Sequence, residues 1–113
     1  MTIQELVKAL PLKVISGQSN LEKEIKGGYV SDLLSNVMGQ AHAGNLWVTM
    51  QGHQNIVAVA LLAGLTGIIV AGNVEPDPEA VQKAAAEDII MLTTTLSSYE
   101  VVGRLYQLGI AGE

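Results

Sequence analysis

Between Leu46 and Gly72 the chain reads LWVTMQGHQNIVAVALLAGLTGIIVAG, with no charge except on whatever fraction of His53 is protonated. Such a stretch must be buried, and the rest of the 113 residues must cover it. Its apolar period changes twice, each time at a breaker residue. Leu46 to Met50 is a short, partly β-branched run left at Gln51-Gly52, which predicts a strand. Asn55 is placed to cap a helix over Ile56 to Ala63, and Gly64 to end it. After Leu65-Thr66-Gly67, Ile68 to Ala71 predicts a second buried strand, closed by Gly72-Asn73. Two strands joined by one helix form a β-α-β unit with parallel strands and a right-handed connection.

Ile56 to Val74 approaches a membrane span in length, but the break from Gly64 to Gly67 leaves a helix too short to cross. No membrane association is expected. A helix that is apolar on every face must instead be buried on more than one side, by the sheet and by either another helix layer or a partner subunit.

The flanking segments supply the cover. Thr2 and Glu5 have capping-box spacing for a short helix through Leu10, stopped by Pro11. Leu12 to Ser16 predicts a first strand. Leu21 to Tyr29 predicts a less regular edge strand that bends or bulges at Gly27-Gly28. Ser31 is placed to cap a helix whose stripe is Leu34, Val37, Met38 and Ala41, with Asp32 complementing the dipole in its first turn. Asp77 and Pro78 open a further helix with Val81, Ala84 and Ala85 as its narrow buried face. Ile89 to Leu92 predicts another strand. Ser97 and Glu100 repeat the capping-box spacing for a last helix with stripe Val101, Leu105 and Leu108. Strand and helix alternate, so the expected fold is a single three-layer α/β domain over residues 1–113, with a mostly parallel central sheet and helices on both faces.

Composition limits function. The formal charge of −5 provides no basic footprint, so no nucleic-acid partner is expected. The absence of cysteine removes thiol nucleophiles, disulfides and thiolate metal sites. The first residues have neither a basic region nor an apolar signal core, so a cytoplasmic protein is expected. His42 and His53 fall on different elements and make no metal-ligand spacing; no metal or cofactor is expected. Trp47, Met38, Met50 and Met91 read as core or gap-filling residues.

In parallel sheets, ligands collect beyond the carboxyl ends of the strands. Four segments should meet there: 28–32, 52–55, 72–73 and 93–95. The candidate ligand-binding residues are therefore Asp32, Gly52, His53, Gln54, Asn55, Gly72 and Asn73. The loop before the uncharged helix is the strongest anion candidate, because helix N-terminal N–H groups favour negative charge. Neither Gly-Lys-Ser/Thr nor Gly-x-Gly-x-x-Gly occurs, and no nucleophile stands beside a base with an orienting carboxylate. No catalytic residue is expected.

The segments LKVISG at Leu12 to Gly17, GGYVSDLL at Gly27 to Leu34, the apolar strand before Gly52, the helix Ile56 to Ala63, and GIIVAGNVEPDPEAV at Gly67 to Val81 together resemble the DRTGG domain. That family is similar to regulatory regions of phosphotransacetylases, accompanies CBS domains in inorganic pyrophosphatases, and looks related in architecture to the N-terminal domain of HPr kinases. Where family members carry Asp-Arg, this chain has His53-Gln54. Where they carry Thr-Gly-Gly, it has Ala71-Gly72-Asn73. The resemblance implies a non-catalytic regulatory or protein-interaction domain, here a stand-alone copy, acting as a homodimer on a partner enzyme. The alternative is a small-molecule sensor that binds a nucleotide or other anionic phosphate ligand at the carboxyl ends of the strands. A vestigial enzyme domain related to HPr kinase lacks its phosphate-binding loop here.

Overall fold

The computed structural model describes residues 1–112. The uncharged stretch forms its centre. Strand β3 (Asn45–Thr49) leads through helix α3 (Asn55–Ala63) to strand β4 (Gly67–Val70), and the two strands are parallel, with Trp47 opposite Ile68 and Val48 opposite Ile69. Every residue of both strands is buried, as befits a parallel sheet covered on both faces. Gly64 ends α3 in the left-handed region at φ 68°, and its N–H returns to Ala60 and Leu61.

Five strands make one sheet in the order β1-β5-β4-β3-β2. The remaining strands are β1 (Lys13–Ser16), β2 (Gly27–Val30) and β5 (Met91–Thr93), and only β1 runs antiparallel to its neighbour. From β2 to β5 the chain advances one strand at a time, so the connecting helices α2 (Leu34–Gln40), α3 and α4 (Pro78–Ala86) collect on one face. That core holds Val37, Trp47, Ile56, Ile68, Val70, Ala84 and Met91. Helices α1 (Ile3–Ala9) and α5 (Ser98–Gln107) cover the opposite face, where Leu6, Leu46, Val48, Ile69, Leu92, Val101 and Leu105 meet. Alternation along the strands sends Leu46 and Val48 to one core and Trp47 to the other. The three-layer, mostly parallel architecture is as the sequence predicts. Among the described residues no helix is long and apolar enough to cross a membrane.

The Thr2–Glu5 capping box forms in both directions, and accepting the Thr2 backbone N–H holds the Glu5 carboxyl below its ordinary pKa. Several other expectations are corrected. The segment from Leu21 is not sheet: its carbonyls at Leu21 and Lys23 accept the N–H groups of Gln4 and Ile3, satisfying donors that the first turn of α1 leaves free. The edge strand is only Gly27–Val30, and it pairs regularly; the irregular register lies instead between Val14 and Ser16 on β1. Ser31 does not cap α2. Leu33 occupies the cap, and the Ser31 hydroxyl closes a turn by accepting the Leu33 N–H at 3.1 Å. Asn55 lies inside α3 rather than capping it.

Other side chains point elsewhere than their stripes imply. The helix α4 starts at Pro78 as expected, but its buried residues are the i, i+4 pair Ala80 and Ala84, with Val81 half-buried and Ala85 exposed. Asp77 sits at the cap position but contributes no side-chain bond. Leu108 is exposed and Ile110 is buried in its place. Met91 is core, but Met38 and Met50 are exposed.

Candidate functional site

The connection after β4 leads to α4 on one face, and the connection after β5 leads to α5 on the other. A crevice opens where successive connections part in this way, at the carboxyl ends of the strands. Here the crevice mouth is partly closed by backbone: the Gly72 N–H donates to the Leu96 carbonyl at 2.7 Å and the Asn73 N–H to the Thr94 carbonyl at 3.0 Å. Both donors lie in left-handed backbone, Gly72 at φ 74° and Asn73 at φ 60°. An asparagine tolerates that region better than most side chains, which suits position 73 to the turn.

Asp32 anchors the other end of the same edge. Its Oδ1 accepts the Thr49 hydroxyl at 2.8 Å and the Met50 N–H at 2.7 Å, and the Gln51 amide donates to the Asp32 carbonyl at 3.2 Å. The carboxylate therefore ties the β2–α2 connection to the end of β3 instead of complementing the α2 dipole. Replacing Asp32 by alanine is expected to cost about 1–2 kcal/mol, because the Met50 N–H and the Thr49 hydroxyl lose a charged acceptor at a partly hydrated site. Asparagine, which keeps one oxygen, should lose less than half as much. Urea unfolding of the three proteins measures both effects.

At the start of α3 the first donors are already engaged. The Asn55 N–H reaches His53 Nδ1 at 3.2 Å, the Ile56 N–H the His53 carbonyl, and the Val57 N–H the Gln54 carbonyl, both at 3.1 Å. The His53 ring thus accepts the first N–H of α3, while Gln54 holds the cap position without a side-chain bond and Asn55 is the first helical residue. Gly52 lies beneath the next connection, where a Cβ would come within 3.2 Å of the Glu75 carbonyl and of Pro76 Cα. A Cβ on Gly72 would come within 2.8 Å of the Met50 side chain. His53, Gln54 and Asn55 are exposed around this loop.

The seven candidate residues share the carboxyl edge but not one concavity. A cleft of about 640 Å³ lies beside Asn73, bounded by the 73–76 connection, by Thr93, Thr94 and Thr95, and by Lys13 and Ile15 of β1. Asn73 is the only one of the seven on its wall. Lys13 reaches it because β1 runs antiparallel and places Lys13 directly opposite Thr93. Nothing local in the sequence signals that pairing. The 93–95 run, by contrast, is visible as a polar cluster following a buried strand. Among the described residues no group of three or more His, Asp or Glu side chains is arranged to hold a metal ion.

These features define a three-layer α/β domain with a ligand-sized cleft at the carboxyl edge of its sheet. The family model of the DRTGG domain matches residues 5–108, and the chain belongs to that family, as its motifs imply. Its fold is similar to a crystal structure of the CBS and DRTGG domains of the regulatory region of Clostridium perfringens pyrophosphatase, complexed with the activator diadenosine tetraphosphate. The TM-score is 0.72 at 15% identity, over 90% of this chain and 44% of that one. The chain thus spans less than half the length of that structure. Comparison with curated proteins gives no match.

Proposed function

We propose that this chain is a non-catalytic regulatory module that pairs with a second copy of itself and, as a pair, acts on a partner enzyme. The observation that carries this reading is the outer face of α2 and α3. From Leu33 to Val74 the sequence contains no Asp, Glu, Lys or Arg, and on this uncharged span Met38, Leu61 and Leu62 are 43%, 48% and 74% exposed. The whole chain carries a formal charge of −5, so two copies meet with least repulsion where neither presents a carboxylate. Exposed leucines on such a face gain from being covered. Family membership, and a fold shared with part of a pyrophosphatase regulatory region, support a role in regulation rather than catalysis.

The chain mass is 11.9 kDa, and sedimentation at micromolar concentration should give twice that value. Leu62→Glu should leave the fold intact and weaken pairing by at least about tenfold, since burying one leucine contributes about 1.5–3 kcal/mol and a two-fold interface counts it twice. A parent chain that stays monomeric, or a Leu62→Glu chain that pairs as well as the parent, sinks the reading.

A second reading is favoured by the cleft beside Asn73: a small-molecule sensor whose ligand sits at the carboxyl ends of the strands, against Asn73 rather than against Asp32, Gly52, His53, Gln54, Asn55 or Gly72, which lie outside that cleft. The structurally similar regulatory region is described with a nucleotide activator, which motivates nucleotides and acyl phosphates as the first compounds to try. A true ligand raises the unfolding temperature by mass action on the folded state. A screen of these and of other small charged metabolites, amino acids included, without any such rise removes this reading.

A further inference from the structure

We infer that the cleft between the 73–76 connection and the β1–β5 pair binds a compact zwitterion with an apolar body, of the class of a free aliphatic α-amino acid. This rests on the ligand-sensing reading and deepens it by naming the chemistry.

Thr94 builds the cleft. Its hydroxyl donates to the Pro11 carbonyl at 2.9 Å, and its carbonyl accepts the Asn73 N–H at 3.0 Å, so one buried residue ties the chain entering β1 to the chain leaving β4. Thr93 closes β5, and Thr95 lies beyond the end of the strand, one residue after Thr94. Both line the cleft, as do Lys13 and Ile15, two residues apart on the neighbouring strand. Asn73, Val74 and Glu75 close the third side.

Of the polar side chains on the cleft wall Thr94 alone is buried, while Lys13, Asn73, Glu75 and Thr95 are exposed and Thr93 is half-buried. The hydroxyls of Ser16, Thr49, Thr66 and Thr94 are all engaged within the fold. Among the described residues, the side chains of Lys13, Asn73, Glu75, Thr93 and Thr95 make no hydrogen bond or ion pair with another residue. Five unengaged polar side chains therefore surround an apolar floor of Ile15 and Val74. A small-ligand site has this composition, apolar walls with a few convergent polar groups, and its volume lies within the usual range of about 300–1,000 Å³.

Charge selects the ligand. The lining carries one ammonium, Lys13, and one carboxylate, Glu75. A polyphosphate would find a single cation and be repelled by Glu75. A ligand with one carboxylate and one ammonium matches both groups, its remaining donors and acceptors meeting Thr93, Thr95 and Asn73, and its aliphatic part lying on Ile15 and Val74.

The test is titration of the isotopically labelled full chain with L-leucine, followed at the backbone amides of Asn73, Glu75, Thr93 and Thr95. Concentrations extend to about 10 mM, enough to populate even a millimolar site. Saturable shifts at these amides are expected. Isopentylamine, lacking the carboxylate, and 4-methylpentanoate, lacking the ammonium, should each bind at least about tenfold more weakly, as should L-leucine to Lys13→Gln and to Glu75→Gln, because each change removes one charge-assisted contact. Both substitutions are at exposed positions and keep the fold. If ATP or inorganic phosphate moves these amides and leucine does not, the zwitterion assignment fails while ligand sensing stands. If none of these compounds moves them, both fail.

Discussion

Trp47→Ala is expected to destabilise the protein by about 3–5 kcal/mol, a large share of the roughly 5–15 kcal/mol that holds a domain of this size together. Trp47 is completely buried in the core beneath α2 and α3, among Val37, Ile56, Val57 and Ile68. Truncating it removes the largest side chain there and leaves a cavity that β3, fixed on both sides by parallel ladders, cannot collapse to fill. A second loss follows. The indole Nε1–H donates to the Ser31 carbonyl at 2.9 Å, so the same residue holds the connection that carries Asp32. Trp47→Phe keeps most of the apolar volume but not that bond, and should cost about 1–3 kcal/mol. Because the chain has no other tryptophan, unfolding in urea must be followed by circular dichroism. A Trp47→Ala protein within about 1 kcal/mol of the parent would mean that this core does not close around the indole as described.

Gly17→Ala is expected to cost about 2–5 kcal/mol, combining about 1–2 kcal/mol for an L-residue in left-handed backbone with the cost of overpacking. Gly17 sits at φ 79°, and a Cβ there would lie 2.7 Å from Ile90 Cα and 2.9 Å from Ile90 N. Those are backbone atoms leading into β5, so relief requires moving the strand. The contact also fixes the antiparallel edge: Ser16 Oγ donates to the Ile89 carbonyl at 2.7 Å, and the Asn20 amide to the Asp88 carbonyl at 3.1 Å. Loss of stability should therefore come with early hydrogen exchange in β1 and β5, while β3 and β4 stay protected. Uniform exchange across all five strands would show that the edge does not open separately.

The sequence was most legible where a signal acts over a few residues. The Thr2–Glu5 box, the Gly64 stop and the two changes of apolar period around α3 depend on neighbours within a turn or two, and each is found as expected. Other expectations failed where backbone groups far apart in the chain bond to one another. The Leu21 and Lys23 carbonyls, expected in a strand, accept the N–H groups of Gln4 and Ile3, and Asp77 stands at the α4 cap with its backbone N–H on the Gly52 carbonyl but no side-chain bond. Asp32 has no local mark that distinguishes a helix-dipole partner from a tie to Thr49 and Met50.

The same division holds for the whole protein. The sequence by itself determined a buried parallel β-α-β centre, since an uncharged run broken at Gln51-Gly52 and Gly64 admits few other folds, and its motifs placed it in the DRTGG family. Only the tertiary structure decided which polar groups are bonded within the fold and which are not. Thr94 is engaged and Thr93 is not, and Lys13 faces Thr93, because an edge strand from the start of the chain pairs with the last strand. Periodicity carries information over one element, whereas pairing between distant strands is set by how complete faces fit together.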